Sequence, residues 1–253
     1  MKERPLYISK ITPFIDKPIV KVITGIRRSG KSALLMLLKD YFISKGSSAE
    51  NIIYINFESM EYADIDSAKS LYSYVVEHKP SNGKCYILLD EIQNVKDWER
   101  AVNSFQVDID CDIYITGSNS HLLSSELSTL LAGRYVEFVI EILSFKEYLS
   151  FLDSDIIDVY KEFNNYLRLG GFPVIHAHNY DADSAYKIIN DIYSSVILRD
   201  TIQRHNIRNV DQLERIMKFV LTNVGNLFSA KSISDYFISQ KRKVDINTVY
   251  NYL

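Results

Sequence analysis

The run Gly25-Ile26-Arg27-Arg28-Ser29-Gly30-Lys31-Ser32 matches the pattern G-x-x-x-x-G-K-[ST]. An apolar, β-branched segment, Ile19 to Thr24, precedes it and an apolar helical pattern follows at once. Strand, glycine-bounded loop and helix in that order leave few folds open. Gly25 and Gly30 let backbone amides curl around phosphate groups, and the helix adds its positive N-terminal end. Ile26, Arg27, Arg28, Ser29 and Ala33 complete the lining of such a loop. Lys31 is then expected to reach the β- and γ-phosphates of a nucleoside triphosphate, and Ser32 to offer its hydroxyl to Mg²⁺. The expected cofactors are ATP and Mg²⁺.

Four further apolar runs follow: Ile52 to Phe57, Tyr86 to Leu89, Ile113 to Thr116 and Tyr135 to Ile140. Their nearly continuous apolar character predicts strands covered on both faces, with helices between them. The fold class is therefore α/β, a doubly wound parallel P-loop sheet. The run through Leu89 ends in Asp90-Glu91. At the end of a strand beside a P-loop, Asp90 is expected to hold Mg²⁺. Glu91, turned elsewhere by strand alternation, would orient an attacking water. A polar turn, Thr116-Gly117-Ser118-Asn119, ends the next run, and Asn119 or Ser118 there is placed to sense the γ-phosphate or position water; an ordinary helix-capping turn is the alternative. Arg134 stands at a helix-to-strand junction. It is either an arginine finger for a neighbouring subunit or a solvated surface charge.

After Ile142 the rhythm changes. Ser144 to Glu147 is a capping box, and almost everything beyond it reads as helix. The expected organisation is a P-loop domain over 1–143, a helical region over 144–209 and a partial winged-helix domain over 210–253. Lys241-Arg242-Lys243 flanks its helix-turn-helix and offers cations either to DNA phosphate or to water. Net charge of −3 gives no global attraction to nucleic acid, so contact with it requires such a local patch. His176 and His178 resemble a metal pair only superficially, with no further ligand nearby. Cys85 and Cys111 each open an apolar run outside any C-x-x-C or Cys/His cluster and are read as buried thiols. No apolar run approaches the length of a membrane span, and a cytoplasmic setting is expected.

The ordered stretches Gly25 to Ser32, Leu88-Leu89-Asp90-Glu91-Ile92-Gln93, Thr116 to Ser120, Leu131-Ala132-Gly133-Arg134, Leu143 to Leu149 and Gly170-Gly171-Phe172-Pro173 resemble the AAA+ superfamily of ATPases. More narrowly, they resemble the predicted archaeal-type ATPase family; Val196 to Asp200 also fits. The likeness covers Tyr7 to about Asn209. It implies an ATP-binding domain, a helical segment, a winged helix and a C-terminal domain like restriction endonucleases, which has no counterpart in this sequence. The chain ends at Leu253 within the apparent recognition helix. In such a protein Arg199 is a candidate for a second phosphate-sensing arginine from the helical region, with a helix-surface arginine beside Asp200 as the preferred alternative.

The expected activity is ATP hydrolysis coupled to a conformational change acting on nucleic acid or a partner domain, with a homo-oligomer and DNA as possible partners. A nucleotide-responsive switch with little turnover is the alternative. A P-loop kinase fits less well, because the helical region offers no acceptor pocket with a cationic lid.

Overall fold

The structure is a computed structural model, describing residues 2–117, 131, 133–152, 158–178, 180–198, 202, 207, 209–242 and 244–252. Ser118, Asn119, Ser120, Arg199, Asp200, Lys243 and Leu253 lie outside the described residues. The chain forms two compact units, residues 1–188 and 189–253.

The first unit is built on five strands, β1 (Val20–Thr24), β2 (Ile52–Asn56), β3 (Cys85–Asp90), β4 (Cys111–Thr116) and β5 (Tyr135–Val139), all parallel in the order β2-β3-β4-β1-β5. Strand β4 thus separates the P-loop strand from the acidic strand. Because all five run the same way, the P-loop after β1, Asp90 in β3 and Thr116 in β4 share the C-terminal edge, where open α/β sheets bind ligands.

Side-chain alternation explains the two layers. Val20, Val22, Ile87, Leu89, Ile113 and Ile115 face one core, with α3 (Ala68–His78) and α4 (Trp98–Asp108) contributing Leu71, Val75, Val102 and Phe105. Ile23, Leu88 and Tyr114 face the other, against Tyr7 and Ile11 of α1 (Pro5–Ile11) and Leu34, Leu35, Leu38 and Phe42 of α2 (Lys31–Ser44). Helix α2 stops as its sequence dictates: Gly46 adopts φ 97°, and the Ser47 and Gly46 amides donate to Phe42 O and Ile43 O, each at 3.0 Å, a Schellman closure.

The capping box opens α5 (Phe145–Phe151), with the Glu147 amide donating to Ser144 Oγ at 3.3 Å and the Ser144 amide to Glu147 Oε2 at 3.0 Å. Phe145 meets Phe163, and Tyr148 meets Tyr166, across to α6 (Val159–Leu169), at ring distances of 5.0 and 5.5 Å. A short helix α7 (Pro173–His176) and α8 (Ala182–Ile192) follow. The compact unit therefore runs past the sequence boundary at 143, because the Leu143 amide donates to Gly171 O at 2.7 Å and Tyr166 Oη to Leu143 O at 2.8 Å. In the second unit, α9 (Val210–Thr222), α10 (Ala230–Ser239) and α11 (Ile246–Tyr252) enclose Ile216, Ile233, Phe237 and Val249. Among its described residues there is no strand.

Candidate nucleotide site

Gly25 leaves β1 with φ 146°, and a Cβ there would lie 2.4 Å from Ile140 O. Only glycine fits that approach of loop to sheet. Gly30 has φ 99° and starts α2. Lys31 follows with its side chain 3% exposed, its ammonium donating to Gly25 O at 3.1 Å and Ile26 O at 3.3 Å. Burial pushes its pKa below the ordinary lysine value, against the opposing pull of Glu91 and Asp90.

Asp90 is completely buried at the end of β3. It accepts a short hydrogen bond from Thr116 Oγ1 and another from Tyr54 Oη at 3.3 Å, and it also bonds the Ser32 side chain. Burial raises its pKa above the usual carboxylate range, while the Thr116, Ser32 and Tyr54 hydroxyls pull the other way. The Ser32 hydroxyl and the Asp90 carboxylate, side by side, are the hard oxygen donors that Mg²⁺ prefers.

Glu91 follows Asp90 out of the strand. It leaves β3 with φ 55°, and its Oε1 lies 3.8 Å from Lys31 Nζ. Two neighbours hold it there: its amide donates to Thr116 Oγ1 at 3.0 Å, and Gln93 Nε2 donates to its Oε2 at 2.6 Å. One carboxylate oxygen is thus tied to Gln93 while the other faces the P-loop lysine.

This sheet order, with the P-loop and the Asp-Glu pair on one edge, accompanies a match to the AAA domain family over residues 17–149. The chain belongs to the AAA domain family. Residues 160–253 match a second family, a domain of unknown function. An uncharacterized protein of Haemophilus influenzae is 40% identical over 258 residues, covering all of this chain and 64% of that protein. The uncharacterized protein MJ1544 of Methanocaldococcus jannaschii is 30% identical over 92% of this chain and 53% of its own length. The chain thus spans between half and two thirds of these relatives. Among solved structures it is similar to AMPPCP-bound DnaA from Aquifex aeolicus, at 16% identity and a TM-score of 0.42 over 99% of this chain and 86% of that one. Cdc6p from Pyrobaculum aerophilum gives 10% identity and a TM-score of 0.46 over 99% and 84%.

Within this AAA domain the structure gathers Gly25, Gly30, Lys31, Ser32, Asp90 and Glu91 at one edge. Arg27 and Arg28 are exposed, Arg27 pairing with Glu58 at 3.1 Å and Arg28 sitting at φ 66°. Ala33 and Gly30 line a cavity of about 630 Å³ with Arg4, Phe151, Pro173 and His178. Arg134 is elsewhere: its carbonyl accepts from the Val20 amide at the start of β1, so it lies at the opposite edge, roughly 15 Å of strand away. His176 is buried with Nε2 2.7 Å from Gly170 O, so it faces its own backbone and not a metal partner at His178. In the second unit, Arg242 lies 3.5 Å from Asp211 and lines a cavity of about 410 Å³ with Arg215, Lys218 and Tyr236.

Thr116, Gln93 and Tyr54 belong to the site although the sequence reading did not assign them. For Thr116 the signal was its place at a strand end, but its partner emerges only once β4 is seen beside β3. Gln93 had a weaker one, an amide two residues beyond an acid.

Proposed function

We propose that this edge binds ATP with Mg²⁺ and hydrolyses the terminal phosphoanhydride, and that the nucleotide state drives a conformational or assembly change acting on nucleic acid or a partner domain. The observation that carries the reading is the 3.8 Å approach of Glu91 to Lys31 beside buried Asp90. A P-loop lysine, a metal-binding acid and a second acid whose outer oxygen faces that lysine are what in-line hydrolysis requires. Ser32 and Asp90 would hold Mg²⁺, which when bound would offset negative charge on the phosphate oxygens.

On this reading Lys31 exchanges the carbonyls of Gly25 and Ile26 for phosphate oxygens. That movement frees Glu91 Oε1 to orient a water and take its proton as the water oxygen bonds the γ-phosphorus and the bond to ADP breaks. Gln93 keeps the other oxygen fixed. The cavity beside Gly30 and Ala33 offers room for the base and ribose. Arg134, remote from its own P-loop, suits a neighbouring subunit's site and so an oligomer; the sensor role of Asn119 stands as a further proposal. The basic cavity around Arg215 and Arg242 supports contact with DNA phosphate.

The alternative, a switch that binds ATP with little turnover, draws on the double restraint of Glu91 by Gln93 and Thr116. Two variants decide. Lys31→Ala is expected to abolish tight ATP binding in a folded protein by calorimetry; unchanged affinity means the P-loop reading is wrong. Glu91→Gln is expected to keep binding and to lose about 10²-fold or more in phosphate release. Release at the parent's rate removes Glu91 from catalysis and leaves the switch.

A further inference from the structure

Arg4 precedes the first helix, yet it is 3% exposed. Its guanidinium is shared among three anchors. Nη1 donates to Ser29 O of the P-loop at 3.0 Å. Nη1 and Nη2 both donate to Glu141 O at 3.1 Å, just beyond β5. Nε and Nη2 meet Glu147 Oε1 at 2.9 and 2.8 Å, in the first turn of α5. The Tyr7 ring supports the group from below at 4.4 Å, while Tyr7 Oη accepts from the Glu141 amide at 3.0 Å. A buried arginine with every face engaged orients what it touches.

The contact that matters most is with Ser29 O. A trans peptide sets its carbonyl and the following N–H on opposite sides, so fixing the Ser29 carbonyl fixes the direction of the Gly30 N–H. Without such a tether this plane turns easily, because Gly30 has no side chain and already sits at φ 99°. Ser29 cannot supply the tether, since its buried hydroxyl has no hydrogen-bond partner among the described residues. Arg4 Nη1 also lies 3.9 Å from where a Gly30 Cβ would stand.

We propose that Arg4 is a positioning residue for the phosphate site. It holds the Ser29–Gly30 peptide with its N–H directed at the bound phosphates and, through Glu147, joins that peptide to the first turn of α5. The inference rests on the nucleotide-binding reading above. Glu147 answers Arg4 in kind: burial pushes its carboxyl up, but the Ser144 amide and Arg4 outweigh that and hold it below the usual range. Nucleotide binding and the seating of α5 are thereby coupled through one side chain.

The test is calorimetric titration of the full chain with ATP and Mg²⁺, for the parent, Arg4→Lys, Glu147→Gln and the double variant. Lysine keeps the charge but has no planar fork for three acceptors, so Arg4→Lys is expected to weaken ATP about tenfold to a hundredfold with binding stoichiometry unchanged. Glu147→Gln leaves the carbonyl contacts in place and is expected to weaken ATP only about threefold. The double variant should be no weaker than Arg4→Lys alone, because the two act through one contact. A merely structural role gives the opposite pattern, with fewer competent sites and unaltered affinity in those that remain. That pattern, or parental affinity in a folded Arg4→Lys, overturns the proposal; if Arg4→Lys does not fold, parental affinity in Glu147→Gln does so. A parent that binds no ATP overturns the nucleotide reading instead.

Discussion

Strand β1 carries a buried lysine towards one end and delivers another beyond the other, and the two are held in opposite ways. Lys21, near the start, is fully buried in a tight pair with Asp112 of β4 and also donates to Lys17 O at 3.0 Å. The second Asp112 oxygen accepts from the Asp16 amide and Tyr114 Oη, both at 2.8 Å. Lys31, past the far end, has its nearest acid at 3.8 Å and otherwise leans on two loop carbonyls. Burial lowers the pKa of both lysines, opposed by Asp112 in one case and Glu91 in the other. The difference separates structure from readiness. A saturated pair fixes how β1 sits against β4 and has nothing left to give a ligand, whereas a loose pair exchanges its partners at small cost.

Arg134 offers the largest test of that contrast, because it lies at the closed edge, where the buried lysine is already paired, yet is proposed to act on a neighbour's open P-loop edge. An arginine finger contributes roughly 10³ to 10⁵ in rate, so Arg134→Ala should depress turnover far more than ATP affinity. Mixing it with Glu91→Gln subunits should restore some phosphate release, since one interface then joins an intact Glu91 to an intact Arg134. No recovery despite proven co-assembly returns Arg134 to an ordinary surface charge and leaves its edge without a catalytic part.

The lysines themselves give the next largest effect. Lys21→Met strands the Asp112 carboxylate in the core and should cost about 3–5 kcal/mol in urea unfolding, much of it regained when Asp112→Leu is added. Lys31→Met should change stability by about 1 kcal/mol or less while eliminating ATP binding. Equal stability losses at the two positions would erase the distinction drawn between them.

How much of this was legible in the sequence follows the same divide. The open edge is read from local patterns: glycine spacing, a strand before and a helix after, two acids closing an apolar run. The five strands and their parallel layering follow from continuous apolar runs, and all five form. What escaped depends on strand order or on distant chain. The polar residues Lys21 and Asp112, each inside a strand covered on both faces, were a signal that buried charges must be paired, but only the β1–β4 adjacency makes them partners. Arg4 was invisible, a lone cation in Lys2-Glu3-Arg4-Pro5 whose acceptors lie 25 to 143 residues away. Gly171 reads as punctuation, yet a Cβ there would meet Leu143 O at 2.3 Å, which is why the helical region closes against the end of the sheet domain.

The smallest test concerns Cys111, which faces Cys85 across β3 and β4 at the closed edge. Burial pushes its thiol up to about 12, far above the value of about 8.5 in an unfolded chain. The sign follows from linkage: the folded state favours the neutral thiol, so this contribution is fully present below about pH 8.5 and is lost as pH rises towards 12. Between pH 8 and 9.5 the unfolded chain sheds the proton and the folded one keeps it, a loss of about 1 kcal/mol. Cys111→Ala removes that term, so the stability gap between parent and variant should shift by this amount over the interval, whatever its size at pH 8. Because Cys111 lies at the edge opposite the P-loop, ATP affinity in the two proteins should stay equal at both pH values. A parallel change in affinity would show that the edges communicate, and that the closed one is more than a foundation for the open one.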